Sequence, residues 1–182
     1  MKFTPTKIAG VWIVDTERHE DDRGWFARTW CAEEFRQRGL NQNLSQCSAS
    51  FNRRRGTLRG MHWQAAPHEE AKLVRCVRGA MFDVALDVRP DSATFKQWVG
   101  VELTPENGRA LYVPEGCAHG FQTLADDTEV LYQISCPWQP DCARGVRWND
   151  PAFGIAWPTE PNLTLSERDR NYPLWTEPTT AL

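Results

Sequence analysis

Five short runs between residues 72 and 134 constrain this chain more than any other feature. They are Lys72-Leu-Val-Arg-Cys-Val-Arg78, Ala80-Met-Phe-Asp-Val-Ala-Leu-Asp-Val88, Phe95-Lys-Gln-Trp-Val-Gly-Val-Glu-Leu103, Arg109-Ala-Leu-Tyr-Val113 and Thr128-Glu-Val-Leu-Tyr-Gln-Ile134. Each is rich in β-branched and aromatic residues, and turn signals separate them. Strands at that spacing point to an antiparallel sandwich or barrel. Gly79, Gly100 and Asn107-Gly108 punctuate the runs, and Asn-Gly predicts a tight hairpin. Only Ala32-Glu-Glu-Phe-Arg-Gln-Arg-Gly39 reads as a helix, peripheral and one or two turns long, with Phe35 on its apolar face and a glycine at its end. The Pro-rich tail from Pro158 onward reads as an irregular coat over the sheet. With 182 residues, 41% of them hydrophobic, the expectation is one domain over 1–182 with a sizeable core.

Charge and cysteine usage narrow the function classes. Twenty-one basic residues against 24 acidic ones, a net charge of −3, carry no polyanion-binding signature, so nucleic acid is not an expected partner. The first residues, Met-Lys-Phe-Thr-Pro-Thr-Lys-Ile, hold no continuous apolar run, and no later stretch has the length of a membrane span; a soluble, cytoplasmic protein is expected. Cysteines 31, 47, 76, 117, 136 and 142 form no Cys-x-x-Cys pair, which favours free thiols over zinc or disulfides. Cys76 alternates as a packed strand residue does.

Three distant stretches carry the chemistry: Gly56-Thr-Leu-Arg-Gly-Met-His62, Pro114-Glu-Gly-Cys-Ala-His119-Gly-Phe121 and Leu165-Ser-Glu-Arg-Asp169. A histidine on a strand, a histidine after a turn and a late aspartate suit one acid/base pocket built from separate segments. Each residue alone has a plainer reading. His62 beside Trp63 suits a half-buried structural histidine, His119 a loop cap, and Asp169 after Ser166 a short helix start. Lys72 suits the wet face of an amphipathic strand, and Tyr132 an ordinary sheet tyrosine.

Taken together and in order, the motifs resemble the dTDP-4-dehydrorhamnose 3,5-epimerase family. The resemblance rests on Asp22-Arg-Gly-Trp-Phe26, Gly56-Thr-Leu-Arg-Gly-Met-His-Trp-Gln64, Lys72-Leu-Val-Arg75, Glu106-Asn-Gly-Arg109, Pro114 to Phe121, Arg147-Trp-Asn-Asp-Pro151 and Leu165 to Asp169, and spans roughly residues 20 to 175. It implies an all-β, cupin-type double-stranded β-helix (jelly roll) with short peripheral helices, a homodimer, no metal or other cofactor, and a nucleotide-linked 4-keto-6-deoxyhexose as substrate. Hydrogens on carbons flanking a ketone are acidified by enolate resonance, so epimerisation needs a base, an oxyanion stabiliser and an acid on the opposite face. By resemblance His62 is the base, Asp169 its orienting carboxylate, Lys72 the enolate stabiliser and Tyr132 the acid. Arg23 and Arg59 match positions that hold the nucleotide-sugar, Arg168 replaces a family lysine beside the aspartate with its charge kept, His119 contacts the sugar, Trp138 stands where an aromatic lies near the base, and Phe26 joins the binding set. If the N-terminal segment crosses to a partner, Arg23 serves the neighbour's pocket.

The chain also departs from the family pattern. Trp25-Phe-Ala-Arg28 places a cation where a carboxylate is usual, Cys47-Ser-Ala-Ser50 replaces a Gln-Asp/Glu-Asn-His-Ser run, and Ala143 replaces a glutamate. Losses at Cys47, Ala49 and Ala143 alongside retained proton-transfer residues predict the same reaction on a different or differently bound nucleotide-sugar. A metal-dependent cupin using His62, His68, Glu69 or Glu70, and His119 is the competing class, but Met61-His62-Trp63-Gln64 lacks the His-x-His spacing such a site uses.

Overall fold

A computed structural model describes residues 1–158 and 162–176. The strands are β1 (Lys2–Pro5), β2 (Trp12–Asp15), β3 (His19–Asp21), β4 (Gly24–Phe26), β5 (Gln46–Asn52), β6 (Leu58–Gln64), β7 (Lys72–Arg78), β8 (Met81–Asp87), β9 (Trp98–Leu103), β10 (Arg109–Val113), β11 (Cys117–Thr123), β12 (Thr128–Ile134) and β13 (Ala143–Gly145), with helices α1 (Ala32–Arg36) and α2 (Glu167–Asn171). Two antiparallel sheets face each other, one ordered β1-β2-β10-β7-β12-β5 and the other β13-β6-β11-β8-β9, while β3 and β4 form a separate ribbon. From β5 onward the chain changes sheet at every connection except β8 to β9, which makes the sandwich a jelly roll.

That alternation changes the meaning of Asn107-Gly108. Instead of closing a hairpin, the pair carries the chain from β9 in one sheet to β10 in the other. The Asn107 carboxamide accepts from the Thr104 and Arg109 amides and donates to the Glu102 carbonyl, so its side chain ties a crossover loop. A turn dipeptide specifies the bend but not the strand that follows it.

The space between the sheets is filled from both walls. Val74, Cys76, Leu111 and Val130 project from the larger sheet and Met81, Ala85, Leu103 and Phe121 from the smaller, all buried. Outside the larger sheet, α1 lays Phe35 edge-on against Tyr112 at 5.6 Å, sealing a second cluster with Val14, Leu73 and Ala110. Phe35 is 1% exposed, so its burial is worth about 1.5–3 kcal/mol. Outside the smaller sheet, the C-terminal segment packs Phe153, Trp157 and Trp175 over Val84, Leu86 and Ala118.

The tail is therefore partly the coat its composition predicts, though residues 159–161 and 177–182 lie outside the described part. It also does more than cover. Thr164 forms a bridge beside Thr57, with the Leu58 amide donating to the Thr164 carbonyl and the Thr164 amide to the Gly56 carbonyl. This bridge brings α2 to β6, and with it Asp169 to His62.

Candidate active site

A cavity of about 690 Å³ opens between the sheets. Its walls come from β5, β6, β7, β11, β12 and β13, and α2 closes one side. β6 supplies two residues that a regular strand would not place together. Arg59 and His62 are three apart, and in an unbroken strand they would face opposite sides. Between the pairs His119↔His62 and Phe121↔Arg59 the register slips, so Gly60 and Met61 oppose Gly120 alone. That bulge turns both side chains into the cavity. It also demands glycine, because a Cβ on Gly60, whose φ is +136°, would lie 2.5 Å from the Gly120 Cα.

His62 Nε2 lies 2.5 Å from Asp169 Oδ1. An ionised carboxylate only accepts, so Nε2 donates and the ring's lone pair sits on Nδ1. The carboxylate is aimed by the first turn of α2, whose N-cap Ser166 accepts from the Asp169 amide at 3.0 Å. Burial pushes Asp169 upward, but hydrogen bonds from His62 and with Ser166, and the charges of His62 and Arg168, outweigh it and hold the carboxyl below its ordinary range. Behind His62 the Tyr172 ring lies 5.6 Å away and carries the Arg168 guanidinium over its face at 5.4 Å. Gly145, opposite His62 on β13, makes room: a Cβ there would meet that ring at 2.3 Å.

The facing wall belongs to the larger sheet. Tyr132 on β12 hydrogen-bonds Ser50 on β5 at 3.0 Å, and burial raises its phenol to about 12, with the Ser50 bond pulling the other way. Lys72 on β7 pairs with Glu70 at 2.8 Å, both side chains largely buried. His119 is not a loop cap: it sits inside the fully buried strand β11 and bonds Asp83 of β8 at 2.7 Å. Burial pushes Asp83 above its ordinary value, opposed by His119, and its Oδ2 has no partner among the described residues. Around the mouth stand Arg59, Arg144 and Arg168 with Trp138. Arg59 is held by the neutral Asn52 carboxamide at 2.8 Å and Arg144 by the carbonyls of Asp141 and Ala143, so their charge remains available to an anion.

The structure thus gathers His62, Asp169, Lys72, Tyr132, Arg59, His119, Arg168 and Trp138 in one cavity. It does not bring Arg23 and Phe26 there within one chain. Both lie on the β3–β4 ribbon, Arg23 paired with Asp21 and Phe26 75% exposed. Asp83 and Arg144 carry no role in the sequence reading, and Glu70 enters it only as a ligand of the competing metal site rather than as the partner of Lys72. Asp83 left a signal, a carboxylate between Phe82 and Val84 in an apolar run, which must find a partner if that strand is buried. Arg144 left none. Among the described residues no three His, Cys, Asp or Glu side chains are grouped as a metal set, and no described helix is long and apolar enough to cross a membrane.

Fold and pocket together place the chain among cupin-type jelly rolls. Residues 5–177 match the family model for dTDP-4-dehydrorhamnose 3,5-epimerase. A protein of that name from Sinorhizobium fredii is 43% identical over 173 residues, 95% of this chain and 89% of the relative. The crystal structure of dTDP-4-dehydrorhamnose 3,5-epimerase from Elizabethkingia anophelis superposes with a TM-score of 0.93 at 35% identity, covering 96% of each chain. A Legionella pneumophila dTDP-6-deoxy-D-glucose-3,5-epimerase, solved in complex with dTDP-4-keto-L-rhamnose, gives 0.90 at 33% identity over 95% of this chain and 92% of that one. The chain belongs to the dTDP-4-dehydrorhamnose 3,5-epimerase family.

Its departures from the family pattern sort by strand geometry. On β5, Gln46 and Ser48 line the cavity and Ser50 reaches Tyr132, so Cys47 and Ala49 point to the other side of the sheet. Arg28 lies outside this chain's own cavity, paired with Glu34 at 3.4 Å. Two departures change the pocket wall itself, Ser48 in place of the family's asparagine and Ala143 in place of its glutamate. Cys47 and Ala49 therefore give no reason to expect another substrate, while Ser48 and Ala143 alter the wall that a ligand meets.

Proposed function

We propose that this chain epimerises dTDP-4-dehydro-6-deoxy-D-glucose at the carbons flanking its ketone. The observation that carries this reading is the His62–Asp169 pair on one wall of the cavity with the Tyr132 phenol and the Lys72 ammonium on the other. Nδ1 of His62 takes the proton from the carbon beside the C4 ketone, the electron pair moves onto the ketone oxygen, and Lys72 stabilises the enolate that forms. Asp169 stabilises the imidazolium. Tyr132 returns a proton to the opposite face of the same carbon, and its high pKa keeps it a proton carrier at neutral pH. Arg59, Arg144 and Arg168 hold the diphosphate, His119 contacts the sugar and Trp138 stacks on the base.

The working unit in this proposal is a cytoplasmic homodimer. Phe51, Val77 and Leu131 are exposed on the larger sheet, and Trp25 and Phe26 on the ribbon, an apolar surface that a second copy would cover. Arg23 and Phe26 would then complete the neighbour's pocket.

Deuterium incorporation tests the chemistry. Protein incubated in heavy water with the dTDP-linked 4-ketosugar should exchange the hydrogens at both flanking carbons by NMR; exchange only with another nucleotide-sugar changes the substrate, and no exchange with any rejects the reaction. For the dimer, mixing Arg23→Ala with His62→Gln subunits should restore activity, since one pocket of each mixed dimer is then intact. No restoration would place Arg23 outside the neighbour's site.

A further inference from the structure

Trp138 lies on the connection from β12 to β13, where the chain leaves one sheet for the other across the cavity mouth. The residue is 57% exposed, so burial contributes little to holding its side chain in place. Its backbone, by contrast, is gripped from within the pocket. The Gln64 Oε1 accepts from the Gln139 amide at 2.6 Å, and its Nε2 donates to the Pro137 carbonyl at 3.3 Å and to the His68 carbonyl at 2.8 Å. Gln46 adds one bond, its Oε1 accepting from the Trp138 amide at 3.0 Å. Consecutive backbone groups at 137, 138 and 139 are therefore all fixed by glutamine side chains of the cavity wall. Gln64 is 2% exposed and stands at the end of β6, two residues from His62. A buried carboxamide with both ends satisfied has one stable orientation, because rotating it would set donor against donor and acceptor against acceptor.

We propose that Gln64 is the positioning residue of the nucleotide subsite: it fixes the 137–139 backbone so that Trp138 forms a preorganised wall for the base of a nucleoside diphosphate. The inference rests on the assignment of Trp138 to the base. Preorganisation of this kind acts on binding and leaves proton transfer untouched, since Gln64 contacts neither His62 nor Tyr132 through any of these bonds. Its third bond, to the His68 carbonyl, fastens the same wall to the loop that leads into Glu70 and Lys72.

The test is titration calorimetry with dTDP together with steady-state epimerisation. Gln64→Met keeps the volume and removes all three bonds; Gln64→Glu keeps the shape and removes the donor, and serves if the first variant does not fold. Either should weaken dTDP binding and raise KM by about ten-fold, with kcat within about three-fold of the parent. In a Trp138→Ala background the same change at Gln64 should alter dTDP affinity by less than about two-fold, since the wall it positions is already gone. Unchanged dTDP affinity in a folded Gln64 variant, additive effects with Trp138→Ala, or an equal fall in kcat would each overturn the proposal. If the parent binds dTDP but exchanges no deuterium on any ketosugar, the reaction fails and the positioning role stands; if the parent binds no dTDP, both fail.

Discussion

Two histidine–carboxylate pairs stand side by side in this molecule, on adjacent strands with His62 and His119 directly opposed, and their environments drive them apart. The His62 side chain is 38% exposed and its carboxylate comes from a helix 107 residues away. His119 is 6% exposed, and Asp83 is fully buried on the neighbouring strand of the same sheet. One carboxyl is held below its ordinary value by its partners, while the other is pushed above it by burial. The same two side chains thus make an accessible pair where the ring meets the cavity and the carboxylate keeps its charge, the arrangement the proposed proton transfer needs, and an enclosed pair where both are buried. Proximity to the cavity is shared; access to solvent and the sign of the carboxyl's shift are not.

The sharpest way to break this contrast is to remove His62. His62→Gln should lower kcat by about 10³-fold, the range a positioned general base supplies, with the melting temperature little changed. A comparable loss of stability would mean that His62 is as structural as His119. Asp83→Asn probes the other pair, and its main effect is expected in stability. The amide keeps an acceptor for His119 but places an NH₂ where Oδ2 already lacks a partner, at a cost of about 1–3 kcal/mol in urea unfolding. A stable but inactive Asp83→Asn protein would move this pair into the proton-transfer machinery.

The pH dependence of these variants should separate the pairs by sign. Asp169, with its native value below the ordinary 3.8, contributes stability that is present above 3.8 and lost as pH falls through the native value. Asp83, with its native value above 3.8, contributes stability that is present below 3.8 and lost as pH rises through the native value. Urea unfolding from about pH 3 to pH 7 should therefore show the deficit of Asp169→Asn growing with pH and that of Asp83→Asn shrinking. Parallel curves would show that both carboxyls titrate alike.

Much of this was legible in the sequence, and the failures have physical causes. The five strand runs were readable from their β-branched and aromatic residues between turn signals, even in β8, where all but one residue is buried, and the helix around Phe35 from its one apolar face. Strand β11 was not, because all seven of its residues are buried and its glycine and histidine suit a turn as well as a strand. In the sequence His119 therefore reads as following a turn, and nothing there pairs it with Asp83, its partner across the sheet. The Gly60 bulge that lets Arg59 and His62 share a cavity has no periodic trace, since it breaks the period itself. The converse error concerned Cys47 and Ala49. Their neighbours line the pocket, and strand alternation turns these two away, which becomes visible only once the register is fixed.

The smallest expected effect isolates how each carboxylate is aimed. Asp83 is fixed by strand pairing on both sides, β8 lying between β11 and β9, so no single side chain outside the pair sets its direction. Asp169 depends on a five-residue helix whose first turn is closed by the Ser166 hydroxyl. Ser166→Ala removes that cap, worth about 1 kcal/mol, and the helix is too short to hold its first turn by propagation. If His62 relies on a correctly aimed carboxylate, Ser166→Ala should lower kcat several-fold, leave KM and dTDP affinity near those of the parent, and be partly rescued by Ser166→Thr, which restores the capping oxygen. A rise in KM with kcat unchanged would instead assign Ser166, which also lines the cavity, to ligand contact, and α2 would then act as a wall of the binding site with Asp169 aimed by the His62 hydrogen bond alone.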